Sequence, residues 1–216
     1  MARRIIDLSY TIEQTMMVYP GLSRPVLEWL AVHEQDGHYA SKVTLPIHVG
    51  THIDAPKHFI AGGQSVDGIP LARLVGEAVL VDLSDRDLNR ITEANLQEFE
   101  DRIKPGLILI LDSGTHKKYG TKGFITDYPY VTPEAAGWLV ERGIASLGVD
   151  MMAIDPLGSV DSPAHHIVLG AGIPIVENLA YLDRLDRQDF LFIGLPLKIG
   201  GAEGAPCRAI AVIEEG

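Results

Sequence analysis

The chain has almost no sulfur chemistry to offer. Cys207 is the single cysteine among 216 residues, so an intrachain disulfide and a thiolate metal cage are both excluded. Positive charge is also short, with 18 Lys and Arg against 29 Asp and Glu and a formal net charge of −11. That balance opposes nonspecific attraction to nucleic acid or to anionic membrane surfaces, so neither is expected as a partner. Long hydrophobic runs are missing, and no segment approaches the roughly 20 apolar residues of a membrane span. The opening residues, MARRIIDLSYTIEQ, carry two arginines but no apolar stretch of signal-peptide length, and a cytoplasmic location is the expectation. Hydrophobic content of 46% and charged content of 22% are ordinary for a globular chain. The length suits one domain over residues 1–216 with a substantial core.

Short β-like runs alternate with a few helices, without a linker, repeat or low-complexity tract. Strands are expected at Ile5–Ser9, Pro25–Val32, Ser41–Val49, Ala78–Leu83 and Leu107–Leu111. Thr92 is placed to cap a helix whose inward face carries Leu96 and Phe99. Thr132 followed by Pro133 is a helix start, and Gly143 a stop. Further strands are expected at Ile144–Val149, Ile173–Val176, Phe190–Leu197 and Cys207–Ile213, the last two as an antiparallel pair, with a short helix around Ala164–Gly170. Interleaved helices and meandering strands predict an α/β single domain with a mixed, β-barrel-like core and peripheral helices.

Residues 48–58 read HVGTHIDAPKH and place His48, His52, Asp54 and His58 in eleven positions. Imidazole nitrogen and carboxylate oxygen are donors that suit Zn²⁺, Mn²⁺ and Fe²⁺. Pro46, Gly50 and Pro56, with β-branched Val49, Thr51 and Ile53, argue against a helix here. On a straight strand His48 and His52 would lie roughly 13 Å apart, at about 3.3 Å per residue, too far for one ion. The chain must bend between them, and Gly50 permits the bend by tolerating positive φ. A strand breaking into a loop around a metal is the expectation. Residues 161–179, DSPAHHIVLGAGIPIVENL, add His165, His166 and Glu177. With both segments, a dinuclear site becomes natural, because bridging carboxylates such as Asp54 and Glu177 hold two divalent ions about 3.5–4 Å apart.

The run His48-x-Gly50-Thr51-His52-x-Asp54-x-Pro56-x-His58 resembles the HxGTHxDxPxH signature of the cyclase family of metal-dependent hydrolases, which includes bacterial kynurenine formamidases and isatin hydrolases. The resemblance continues through Gly148-Val149-Asp150, the AHHxxLGAGIPIVENL segment and the closing LPLKIxGAEGAPxRAIAV, and so covers nearly the whole chain. It implies a fold related to swivelling β/β/α domains and two divalent ions, Zn²⁺ first and Mn²⁺ second. It gives His48, His52 and Asp54 to one ion, and Asp54 also to the other. The family's distal histidine lies twelve residues before a bridging glutamate, which selects His165 over His166 as the partner of Glu177. His58 takes the general acid/base role. The activity implied is hydrolysis of a C–N amide bond in a small molecule, an aryl formamide such as N-formylkynurenine or a small cyclic amide. Metal-generated hydroxide would attack the carbonyl, and His58 would protonate the departing amine.

The resemblance implies a tryptophan ahead of a Pro-Gly pair in kynurenine formamidases, and here Tyr19 precedes Pro20 and Gly21, making Tyr19 the substrate-stacking candidate. His116, in Gly114-Thr115-His116, either lines the pocket or is simply exposed. Met151 and Met152 either form a pliable apolar wall or belong to the core. Ser9, Ser113 and Ser162 lack nucleophile-elbow contexts. Two other functions stay open: a polyketide-type cyclase or dehydratase, suggested by the family's name, and a non-catalytic metal- or ligand-binding protein. The resemblance also implies a homodimer or a higher homo-oligomer.

Overall fold

The computed structural model describes residues 2–215. Its twelve strands are β1 (Arg3–Asp7), β2 (Val26–Ala31), β3 (Ala40–Thr44), β4 (His52–Asp54), β5 (Val75–Asp82), β6 (Arg90–Ile91), β7 (Ile108–Asp112), β8 (Tyr130–Val131), β9 (Ser146–Val149), β10 (Ile175–Glu177), β11 (Asp189–Pro196) and β12 (Gly204–Glu214). Seven of them close a mixed barrel in the order β12-β11-β5-β7-β9-β10-β4, with β4 returning to β12. Neighbours from β5 through β10 run parallel, and the other pairings of the ring are antiparallel. Closure depends on the eleven residues of β12. One edge of β12 pairs with β11, while its other edge takes β4 at Gly204–Pro206 and β1 further along at Ile210–Glu214. The expected α/β class with a barrel-like core is what is found.

Side-chain alternation separates two cores, as a closed sheet requires. Ala78, Leu80, Ile108 and Ile110 join Ile53, Val176, Phe192 and Ala209 in the barrel interior. Val79, Val81, Leu109 and Leu111 point the other way, onto Leu96, Ala135, Leu139 and Val168 of the helical layer. Because both faces of β7 are covered, its sequence ILILD is apolar until its last residue.

The helices are α1 (His33–Asp36), α2 (Glu93–Gln97), α3 (Gly123–Thr126), α4 (Pro133–Glu141) and α5 (Pro163–Gly170). Thr92 caps α2 by accepting from the Asn95 N–H, and Thr132 caps α4 by accepting from the Ala135 N–H. Gly143, at φ +66°, turns the chain after α4 toward β9.

One expected strand is cut short. Ser41–Val49 is extended only to Thr44, and β3 pairs with β2 in a hairpin apart from the barrel. Pro46 has no N–H to give a ladder, so the chain leaves the hairpin there and reaches the barrel only at His52. The metal-type motif therefore begins in irregular chain, passes through the three residues of β4 and ends in a 3₁₀ turn at Pro56–His58, whereas a strand breaking into a loop was expected.

Candidate metal centre

β4 is only three residues long, and it is wedged between two strands. His52 faces Glu177 across the β10 ladder, and Asp54 faces Gly204 across the β12 ladder. Gly204 is required by this close approach: a Cβ there would lie 2.5 Å from the Ile53 carbonyl oxygen and 3.1 Å from His48 Cε1. Upstream, Gly50 adopts φ +59° and bends His48 back toward His52. The rings of His48 and His52 end 5.1 Å apart. Downstream, the 3₁₀ turn Pro56–His58 stacks the His58 ring on that of His48 at 3.9 Å. His165 comes from the buried face of α5.

Four buried groups then converge. His52 Nδ1–H donates to the Gly50 carbonyl at 2.8 Å, which turns Nε2 inward as the atom open to a proton or a cation. That atom faces Asp54 Oδ1 at 3.3 Å and Glu177 Oε2 at 3.6 Å, and it has no hydrogen-bond partner. His165 repeats the pattern. Its Nδ1–H donates to Asp155 Oδ2 at 2.6 Å, and its Nε2 faces Glu177 Oε1 at 3.2 Å and Asp54 Oδ2 at 3.5 Å. Asp54 Oδ2 and His48 Nε2 also lack partners. Acceptors facing acceptors in a water-poor interior repel unless a proton or a cation lies between them. Three imidazoles and two carboxylates form a donor set that fits divalent first-row ions.

The ionisation of the group follows from this crowding. Burial opposes charge on Asp54, yet its contacts with His165, His48 and His52 hold its carboxyl well below the usual range. Burial and then the neighbouring Asp54 charge push Glu177 up. Burial would lower His165, but Asp155, Asp54 and Glu177 outweigh it and raise its imidazolium well above the ordinary value. His52 is raised in the same way by Asp54 and Glu177 against its burial. His58 behaves differently. Burial carries it down to about 4, with Asp54 opposing and the charges of the other histidines assisting.

Above these groups lies a cavity of about 380 Å³, lined by His48, His52, His58, His165 and Glu177, with apolar walls that include Tyr19, Phe59 and Met152. The volume suits a small molecule. Tyr19 lies at this wall, and its Oη accepts from the Gly158 N–H at 3.1 Å. The Phe59 ring lies 4.6 Å from that of His165.

His48, His52, Asp54, His58, His165 and Glu177 therefore meet at one place, with Asp54 beneath the cavity. His166 does not join them: it is exposed, with Nδ1 at 3.1 Å from the Ser162 carbonyl. His116 follows neither course offered by the sequence, being buried but away from this cavity. Sequence reasoning missed Asp155. It accepts the backbone N–H groups of Ala164 and His165 at 3.0 Å as well as the His165 ring, and so sets α5 and its histidine together. An acidic residue shortly ahead of a helix that starts Ser-Pro without a cap of its own was the available signal. Asn178 was also missed. It is buried at the cavity with φ +56° and an Oδ1 without a partner.

The chain is similar to known proteins along most of its length. Residues 6–156 match the Cyclase family model, described as "Putative cyclase". Kynurenine formamidases of Bacillus cytotoxicus and Bacillus cereus are each 34% identical over 206 residues, covering 95% of this chain and 95% of theirs. Isatin hydrolase A from Labrenzia aggregata, bound to benzyl benzoate, superposes with a TM-score of 0.88 at 28% identity, over 99% of this chain and 94% of that one. A potential metal-dependent hydrolase with cyclase activity superposes with a TM-score of 0.85 at 27% identity over the full length of both chains.

Proposed function

The chain belongs to the cyclase family, and from that premise we propose that it is a metal-dependent amidohydrolase. Its substrate is a small aryl formamide of the N-formylkynurenine kind, or a small cyclic amide of the isatin kind. The observation that carries the reading is the pair of buried Nε2 atoms of His52 and His165 aimed at the Asp54 and Glu177 carboxylates. We assign two divalent ions to this centre, Zn²⁺ first and Mn²⁺ as the other candidate. His48, His52 and Asp54 would hold one, and Asp54, His165 and Glu177 the other. Bound there, such ions would supply Lewis acidity, polarising the substrate carbonyl and acidifying water.

The chain's own residues do the rest. Tyr19, Phe59 and Met152 give the aryl group an apolar slot, and burial of that surface orients the amide toward the histidines. His58 lines the same cavity without a carboxylate hydrogen bond, and its burial keeps the imidazole neutral at neutral pH. It accepts the proton released as water adds to the carbonyl carbon. It then returns that proton to the amide nitrogen as the C–N bond breaks, leaving a carboxylic acid and an amine. Cyclisation and non-catalytic binding are not favoured, since the curated relatives carry hydrolase names.

A homodimer or larger assembly is part of the same reading. The β2–β3 hairpin carries exposed Trp29, Leu30, Tyr39 and Val43, apolar side chains that a second copy of the chain would cover. The whole of residues 1–216 acts as one hydrolase domain. The test is to assay metal-loaded protein on an aryl formamide and on a lactam. Hydrolysis of at least one is expected, with His58→Ala retaining its metal and losing roughly 10²–10⁴-fold in rate. A His58→Ala protein with full turnover would remove His58 from the scheme.

A further inference from the structure

Parallel strands present ligand sites beyond their carboxyl ends, and two such ends in this barrel carry buried aspartates. Asp112 is the last residue of β7, Asp150 follows β9, and the 3₁₀ turn Thr115–Lys118 brings in His116. One donor atom from each lies within 4.8 Å of the others. None of the three lines the cavity described above.

His116 is the group that points to a ligand. Its side chain is only 4% exposed, and its buried Nε2 has no hydrogen-bond partner. That atom lies 3.4 Å from Asp112 Oδ1, while Nδ1 faces Asp183 Oδ1 at 3.8 Å on the more open side. Asp150 is held in place by other donors. Its Oδ1 accepts from the Ser113 N–H at 3.0 Å and the Ser113 hydroxyl at 2.7 Å, and its Oδ2 accepts from the His116 N–H at 3.0 Å. Asp112 Oδ1 accepts from the Gly114 N–H at 2.8 Å. Oδ2 of Asp150 retains a free lone pair after these bonds.

We propose that Asp112, His116 and Asp150 form a second cation site, separate from the catalytic centre, for a divalent ion of the Mn²⁺-to-Zn²⁺ series. One imidazole and two carboxylates suit those ions, whereas Ca²⁺ calls for about 6–8 oxygens. The site has a structural purpose. Asp150 opens the segment that becomes the cavity wall: Met151 accepts the Asn178 N–H, Met152 lines the cavity, and Asp155 holds His165. An ion at Asp150 fixes the root of that wall.

The test counts ions. A His52→Ala/His165→Ala protein, loaded with Zn²⁺ or Mn²⁺ alone and then desalted, is expected to retain one ion per chain. Adding His116→Gln or Asp112→Asn is expected to bring the count to background with an unchanged circular dichroism spectrum. No retained ion in the double variant overturns the proposal, as does an ion that survives the added substitutions. Should a variant fail to fold, crystals of the unaltered protein grown with Mn²⁺ or Zn²⁺ decide by anomalous scattering. A peak between the three side chains is expected. Its absence, with ¹⁵N spectra showing both His116 nitrogens protonated, would mean that a proton fills the place.

Discussion

Replacing Asp155 with asparagine probes how the centre is held together, because the residue touches the ligand set only through His165. Its two oxygens accept three N–H groups: Ala164 N–H on Oδ1, and His165 N–H and ring Nδ1–H on Oδ2. An amide has one oxygen that accepts and an NH₂ group that only donates. If the oxygen stays toward His165, the amide NH₂ confronts the Ala164 N–H, donor against donor. If the amide flips, His165 Nδ1 must become an acceptor, and the ring proton moves to Nε2, the atom aimed at Asp54 and Glu177. Either way the lone pair offered to an ion is lost or misdirected. Losses of this kind weaken metal binding about 10–100-fold, or roughly 1.4–2.7 kcal/mol at about 1.36 kcal/mol per tenfold. The fold should lose about 0.5–2 kcal/mol through the weakened start of α5. Titrating metal-free protein with Zn²⁺ against a chromophoric chelator measures the first quantity, and urea unfolding the second. A folded Asp155→Asn protein with unchanged Zn²⁺ affinity and unchanged kcat/KM would refute the reasoning.

Other expectations follow from the same geometry. Gly204→Ala sets a Cβ against the Ile53 carbonyl, a backbone group of β4 that cannot rotate away, and should cost about 1–3 kcal/mol with weaker metal retention; an unchanged thermal midpoint would contradict this. In the metal-free protein the carboxylates around His52 and His165 raise both imidazoles against the effect of burial, so protons occupy the centre. An ion must displace them, and affinity should rise as pH rises above the ordinary imidazole value of about 6.5, with proton release seen by calorimetry in buffers of different ionisation enthalpy. A pH-independent affinity would count against that arrangement. Tyr19→Phe removes the acceptor of the Gly158 N–H and loosens the cavity rim, so KM should rise by a factor that reflects about 0.5–1.5 kcal/mol, with kcat little changed. A fall in kcat at constant KM would instead place the hydroxyl in the chemistry.

Much of this architecture was legible in local sequence because local chemistry decides it. Thr132-Pro133 starts a helix by its own capping group, and ILIL in β7 is apolar throughout because both of its faces are covered. Gly50 was read as the bend in the metal motif because spacing alone forbade a straight strand, and its φ is positive. What local pattern did not carry was long-range pairing. A three-residue strand such as β4 has no periodicity of its own, and only the ladders with β10 and β12 make it one. The excess length drawn for the strand after Ser41 has the same origin, since alternation persists past Thr44 although Pro46 ends the pairing. Asp155 stayed hidden because its partners lie nine and ten residues away, brought near only by the loop before α5. His116 had no motif around it, and its burial beside Asp112 and Asp150 depends on two parallel strands ending side by side.

The most direct measurement follows one protein sample through three states in ¹⁸O-labelled water: metal-loaded, stripped by chelation, and reloaded with Zn²⁺ or Mn²⁺. Its substrates are an aryl formamide and a lactam. The expected result is hydrolysis of at least one, with ¹⁸O entering the new carboxyl group, loss of turnover on stripping and recovery on reloading. Turnover undiminished by removal of the metal, or product formed without ¹⁸O, would contradict metal-dependent amide hydrolysis at this centre.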